Sequence, residues 1–130
     1  MNGKKVLVVD DEIHIVHVVA IKLRNNGYDV ISAENGAEAF EIACQQMPDI
    51  VVTDLQMPVM TGMELVEKLR SNETTKDVPV IMLTARNFSV DDEKRQSLQV
   101  AQCLSKPFSP KELLRIIEDV LYERAAEQKV

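Results

Sequence analysis

Short apolar runs rich in β-branched residues recur along the chain, and the stretch after each is long enough for a helix. The runs are Val6–Val9, Val30–Ile31, Ile50–Thr53 and Val80–Thr84, with a weaker one at Cys103–Leu104. They are nearly continuous rather than alternating, which is the pattern of strands covered on both faces in a parallel sheet. Parallel neighbours cannot be joined by a tight turn and need a crossover, usually a helix. Five strand–helix units in a row therefore predict an α/β fold with a parallel sheet and right-handed crossovers.

Helix signals fill the gaps. Asn35 precedes Gly36-Ala37-Glu38, an N-cap with an acid at the third position. Thr61-Gly62-Met63-Glu64 and Ser109-Pro110-Lys111-Glu112 read as capping boxes, the second with proline at the favoured first position. Ser89-Val90-Asp91-Asp92 is a looser version. Leu113, Leu114, Ile116, Ile117, Val120 and Leu121 form one stripe on the last helix. The segment from Glu12 to Asn26 is ambiguous, because Ile13 to Val19 has the residue types of a strand. Its length and the stop at Gly27 favour a helix.

With 130 residues the chain has the length of one domain. The whole of residues 1–130 reads as one domain, with a core of about 5–123 and 124–130 as a helix end or tail. The net charge of −6 disfavours binding to nucleic-acid backbones or anionic membranes. Three Phe, two Tyr and no Trp do not make a base-stacking platform. Cys44 and Cys103 are too few for a disulfide framework and show no metal-binding spacing. A reducing, cytoplasmic setting is the simplest expectation. No apolar run approaches the ~20 residues needed to span a bilayer, and the N-terminus does not resemble a signal peptide.

In an open α/β sheet, ligands bind beyond the carboxyl ends of the strands. The first strand ends in Asp10-Asp11-Glu12, the third in Asp54, the fourth in Thr84-Ala85 and the fifth in Lys106-Pro107. The second ends in Ala33-Glu34, which suggests little. If the sheet order gathers these ends, Asp10, Asp11 and Asp54 would repel one another. A hard divalent cation such as Mg²⁺ relieves that repulsion, keeping waters and a substrate phosphate. Lys106 offers a point charge for a phosphoryl oxygen, and Thr84 a hydroxyl. No His or Cys stands at these ends for a softer metal. A carboxylate facing a metal-bound phosphate is a plausible nucleophile.

Together these residues resemble a response-regulator receiver domain, the CheY-like family of two-component signalling. The matching motifs are Val8-Val9-Asp10-Asp11-Glu12, Asp54-Leu55-Gln56-Met57-Pro58-Val59-Met60-Thr61-Gly62, Leu83-Thr84-Ala85 and Lys106-Pro107-Phe108. The resemblance runs from Lys5 to about Glu123. It implies a doubly wound, five-stranded parallel sheet in the order 2-1-3-4-5 with five helices. It implies that Asp54 accepts a phosphoryl group from a phosphohistidine on a sensor histidine kinase or phosphotransfer protein. Asp10, Asp11, Asp54 and the backbone carbonyl of Gln56 would hold Mg²⁺. Lys106 would contact the phosphoryl group, and Thr84 would move toward it and pull the following loop along. The protein would then be a switch controlling a downstream protein target or an output domain. It would not be an enzyme with a separate substrate, and no direct contact with nucleic acid or membrane is expected.

The chain departs from the family pattern in places. The aromatic that commonly stands three residues before the lysine is Cys103 here, and Gln99-Val100 replaces a frequent Gly-Ala pair. Phe88, or the loop Arg86–Ser89, is a candidate to transmit the switch instead. Cys103 reads either as a redox sensor or, more simply, as a small residue packed at the end of a strand. Cys44 reads as core. Gln56 and Arg86 stand where the family tunes phosphoryl lifetime. His14 and His17 could be carriers or ligands, but read better as helical surface residues. Ile13, Ile15, Val16, Val18, Val19 and Ile21 form either a wide buried stripe or an exposed patch for a partner's helices. The charged run in Val90–Leu98 reads as a solvated face. Two rival functions remain: a phosphorylation-independent binding module and a Mg²⁺-dependent aspartyl-phosphate phosphohydrolase. The latter is disfavoured because Asp10-Asp11 is not a DxD motif and there is no room for a cap. A flavodoxin-like carrier lacks its phosphate loop after the first strand.

Overall fold

All five apolar runs form strands, each parallel to its neighbours, in the order β2-β1-β3-β4-β5. The computed structural model describes residues 3–85 and 92–128. The strands are β1 (Lys5–Val9), β2 (Asp29–Ala33), β3 (Ile50–Asp54), β4 (Val80–Thr84) and β5 (Val100–Ser105). The helices are α1 (Ile13–Arg24), α2 (Gly36–Gln46), α3 (Gly62–Arg70), α4 (Asp92–Ser97) and α5 (Pro110–Gln128). β2 and β5 are longer than their apolar runs, because pairing with β1 and β4 recruits polar neighbours such as Asp29, Gln102 and Ser105. The tail at Glu123 continues α5 as helix to Gln128.

Successive side chains of a strand point to opposite faces. In β1, Val6 and Val8 enter one core with Leu23 of α1 and Leu113 and Ile117 of α5. Leu7 and Val9 enter the other, with Ala39 and Ala43 of α2 and Leu65 and Leu69 of α3. Both faces are buried, so the run has no polar alternation. The stripe on α5 is buried as expected except Ile116, which is half-buried.

The ambiguous first segment is a helix. Gly27, at φ 90°, turns the chain back into β2. Only Val19, Ala20 and Leu23 of α1 are buried, with Ile15 and Val16 packed partly beside them. Ile13, Val18 and Ile21 are exposed. The stripe is thus narrower than the run of apolar residues, and a patch is left in water. Cys44 is half-buried rather than fully enclosed. Cys103 lies within β5 beside Met82 rather than at a strand end, because pairing with β4 runs through Ser105. It is half-buried, and burial pushes its thiol up.

The capping box at Thr61 is complete. Its hydroxyl accepts from the Glu64 N–H at 3.2 Å, and the Glu64 carboxylate accepts from the Thr61 N–H at 3.0 Å. Asn35 and Ser109 accept from the amides of Glu38 and Glu112. The looser signal at Ser89–Asp92 begins outside the described residues, and so do Arg86 and Phe88.

Candidate functional site

Four of the five strand ends are gathered at one edge by the strand order, because β1 and β3 lie side by side at the centre with β4 and β5 beyond them. Backbone bonds continue past the strands and fix the level of each end. Asp10 N–H donates to Ala33 O at 3.2 Å, Leu55 N–H to Leu83 O at 2.9 Å, and Lys106 N–H to Thr84 O at 2.7 Å. The last bond ties Thr84 and Lys106 together through the main chain.

One carboxylate oxygen from each of Asp10, Asp11 and Asp54 lies within 4.8 Å of the others. Asp10 and Asp54 are buried and Asp11 is exposed. The Glu12 N–H donates to Asp10 Oδ1 at 2.9 Å, which orients that carboxylate. Asp10 Oδ2 is buried and has no hydrogen bond beyond its contact with the Lys106 ammonium at 3.0 Å. Lys106 also stands 3.4 Å from Asp54 Oδ1 and 3.1 Å from Glu12 Oε1.

The electrostatics follow from this crowding. Burial raises the carboxyl of Asp10 above its ordinary value. Burial and then the charge of Asp10 raise that of Asp54. Burial alone would lower Lys106, but its hydrogen bonds to Asp10 and Glu12 and the nearby carboxylates outweigh it and hold it raised. The acids are short of positive charge, and the lysine is kept charged by them. All-oxygen donors with an under-bonded buried carboxylate fit a hard divalent cation such as Mg²⁺. The geometry suits no soft metal, since the cluster contains neither His nor Cys.

Thr84 is buried at the end of β4, beside the same edge. Gln56 is exposed on the loop just after Asp54. That loop is held close: Gly62 N–H donates to Leu55 O at 2.8 Å. A Cβ at Gly62 would collide with the Asp54 carbonyl oxygen and lie 2.8 Å from Met82 Sδ. Glycine is needed there for α3 to start against the end of β3.

The structure brings Asp10, Asp11, Asp54 and Lys106 together, with Thr84 at the end of β4 on the same edge. The sequence reading assigns no role to Glu12, whose carboxylate meets Lys106. The available signal was its position as third acid of the triplet that ends β1. His14 joins the lining of a groove next to the site, and neither it nor His17 belongs to the acidic cluster.

Residues 6–118 match the response regulator receiver domain family. The chain belongs to this family. The receiver is 39% identical over 123 residues to the phosphate regulon transcriptional regulatory protein PhoB of Pseudomonas aeruginosa, covering 93% of this chain and 53% of that protein. It is 37% identical to the alkaline phosphatase synthesis transcriptional regulatory protein PhoP of Bacillus subtilis, over 92% of this chain and 49% of that one. It thus spans about half the length of these curated relatives. The chemotaxis protein CheY4 of Vibrio cholerae superposes with a TM-score of 0.84 at 35% identity, covering 91% of this chain and 98% of that one. The receiver domain of a sensor histidine kinase of Pseudomonas aeruginosa superposes with a TM-score of 0.81 at 31% identity, over 92% and 98% of the two chains. That structure has a magnesium ion coordinated in its active-site cleft. Receivers are signalling switches, and phosphoryl acceptance is the role of the family. No helix among the described residues is long and apolar enough to cross a membrane.

Proposed function

We propose that Asp54 is the phosphoryl acceptor of this receiver and that a phosphohistidine on a kinase or phosphotransfer protein is the donor. The observation that carries this is the position of Asp54 Oδ1, 3.4 Å from the Lys106 ammonium, inside the triad of acids that fits Mg²⁺. In the transfer, a bond forms between an Asp54 oxygen and phosphorus as the phosphorus–nitrogen bond to the donor imidazole breaks. The nitrogen keeps the electron pair. Asp10, Asp11 and Asp54, with the carbonyl of Gln56, would hold Mg²⁺. When bound, the ion supplies charge neutralisation at the phosphoryl oxygens. Lys106 offers its ammonium to the same group, and Thr84 supplies a hydroxyl that reads it.

The donor's docking place is the groove beside the site. It has a volume of about 530 Å³ and is lined by Ile15, Val18 and Val19 of α1 and by Pro107 and Phe108. Lys106, which lines it too, stands 3.4 Å from Asp54 Oδ1, so an apolar helix face seated in the groove would bring its histidine toward Asp54. This gives Val18, one of the exposed apolar residues of α1, a protein partner. Replacing Ile15 and Val18 by Ser should slow transfer from the cognate donor and leave acetyl phosphate unaffected.

The whole of 1–130 acts as one receiver domain in a cytoplasmic signalling route, with a protein or an output domain as target. The net charge of −6 supports protein rather than nucleic-acid contacts for this stretch. The receiver assists only its own phosphorylation and dephosphorylation. Cys103 packs in place of the usual aromatic switch residue, and the switching roles of Gln56, Arg86 and Phe88 belong to the same proposal. Intact-mass analysis with acetyl phosphate, with and without Mg²⁺, tests it. One phosphoryl adduct is expected, dependent on Mg²⁺ and absent from Asp54→Asn. A folded wild type that takes no adduct would favour a phosphorylation-independent binding module, and turnover of generic phosphate esters would favour a phosphohydrolase.

A further inference from the structure

The Lys106 ammonium has three N–H donors and no more. Three carboxylates surround it, at 3.0 Å from Asp10, 3.1 Å from Glu12 and 3.4 Å from Asp54. Of these contacts the one to Glu12 is a hydrogen bond; Asp10 and Asp54 hold the ammonium as ion pairs. A phosphoryl oxygen arriving at Asp54 would compete with these three carboxylates for the ammonium.

The three partners differ in what release would cost. The side chain of Asp10 is 0% exposed and that of Asp54 is 9% exposed, so neither can turn to water. With Mg²⁺ bound, Asp10 and Asp54 would stay fixed by the ion beside Lys106, and without it a carboxylate left buried without a partner is strongly disfavoured. The side chain of Glu12 is 56% exposed, and its ion pair is of the weak surface kind. Freed from Lys106, it would simply hydrate. Glu12 also lines the groove beside the site, as Lys106 does.

We infer that Glu12 is the counter-ion that Lys106 exchanges for the phosphoryl group: it holds the ammonium in place at rest and leaves when the acceptor is loaded. Glu12 is thus a positioning residue, acting on the transfer through Lys106. The inference rests on the reading of Asp54 as acceptor. It goes beyond that reading by naming the group that is displaced. The exchange opposes loading, so removing the carboxylate should favour it.

Two measurements on the full chain test this together. The first is the rate of adduct formation with acetyl phosphate and Mg²⁺ by intact mass, for wild type, Glu12→Gln and Glu34→Gln. Glu34 is an exposed acid at the same edge, after β2, and removes the same unit of charge without touching Lys106. Glu12→Gln should load about two- to fivefold faster, the scale of a surface ion pair, and Glu34→Gln should match wild type. The second is the carboxylate ¹³C resonance of Glu12 before and after beryllofluoride, a tetrahedral mimic of a carboxylate-bound phosphoryl group. It should move toward the value of a hydrated glutamate in wild type and stay put in Asp54→Asn. A Glu12 resonance that does not move when wild type binds the mimic overturns the exchange. So does equal acceleration by Glu34→Gln, since charge alone would then explain the rate. A wild type that takes neither acetyl phosphate nor the mimic overturns the Asp54 reading, and the exchange with it.

Discussion

α3 and α4 both follow a strand that delivers a residue of the candidate site, yet they are held very differently. α3 begins with a complete capping box and buries Gly62, Leu65, Val66 and Leu69. At its end the half-buried guanidinium of Arg70 donates to four backbone carbonyls, at Lys76, Val78, Leu98 and Gln99. α4 spans six residues and buries none of them. Its attachment comes just after it, where Leu98 packs partly into the core and Arg70 holds the carbonyls of Leu98 and Gln99. Asp54 thus sits on a rigid support, whereas Thr84 precedes an element with little burial to lose when it moves. A switch needs that division: a fixed acceptor and a readily displaced reader.

Amide exchange gives the largest contrast. Amides in the middle of α3 should exchange only by global opening, and those of α4 at least about a hundredfold faster. Equal protection in the two helices would break the comparison. Leu65→Ala should come next, losing about 2–5 kcal/mol in chemical denaturation, because Leu65 is fully enclosed. Gly62→Ala should cost about 1–3 kcal/mol through overpacking against Met82 and the main chain of Asp54. It should also shift the Asp54 amide resonance, which a change confined to the helix would not do.

Thr61→Ala should cost about 1 kcal/mol by removing the cap. This effect depends on pH. The backbone and side-chain hydrogen bonds of Thr61 hold the Glu64 carboxyl below its ordinary value of 4.5. A carboxyl lowered in the folded state adds stability that is present above its unfolded value and lost as pH falls through the folded one. Alanine keeps the backbone N–H of residue 61, the larger cause, so only the smaller share of the destabilisation that comes from the hydroxyl should shrink in acid, below about pH 4.5. The smallest effect concerns the junction after α4. Gln99 has φ 56°, where a side chain is strained and glycine is free. Gln99→Gly should stabilise by a few tenths of a kcal/mol, up to about 1 kcal/mol. A loss instead would mean that the Gln99 side chain holds the junction.

Most of the architecture was legible because it is written in local pattern. Doubly buried strands must be continuously apolar, and Val6–Val9 and Val80–Thr84 are. The caps at Asn35 and Thr61 act within four residues of themselves, so a short window reveals them. β2 and β5 were underread, because their ends are strand only through pairing with a neighbour far away in sequence. The α1 patch was open between two readings for a similar reason. Apolar content shows that residues can be buried, but only the packing of α5 and the sheet selects which ones are.

The site divides along the same line. The residue types at the strand ends determine its chemistry: hard acids, a hydroxyl and a lysine, and no soft ligand. Those identities need no coordinates, since ligands of an open α/β sheet bind in the crevice outside the carboxyl ends of its strands. The tertiary structure alone decided which acids are buried and which face water. Asp10 and Glu12 are two residues apart in one acidic triplet, yet one is enclosed and the other is open to solvent. That difference arises from strands and helices distant in sequence closing over Asp10 and stopping short of Glu12. It makes one carboxylate a fixed partner of Lys106 and the other an exchangeable one.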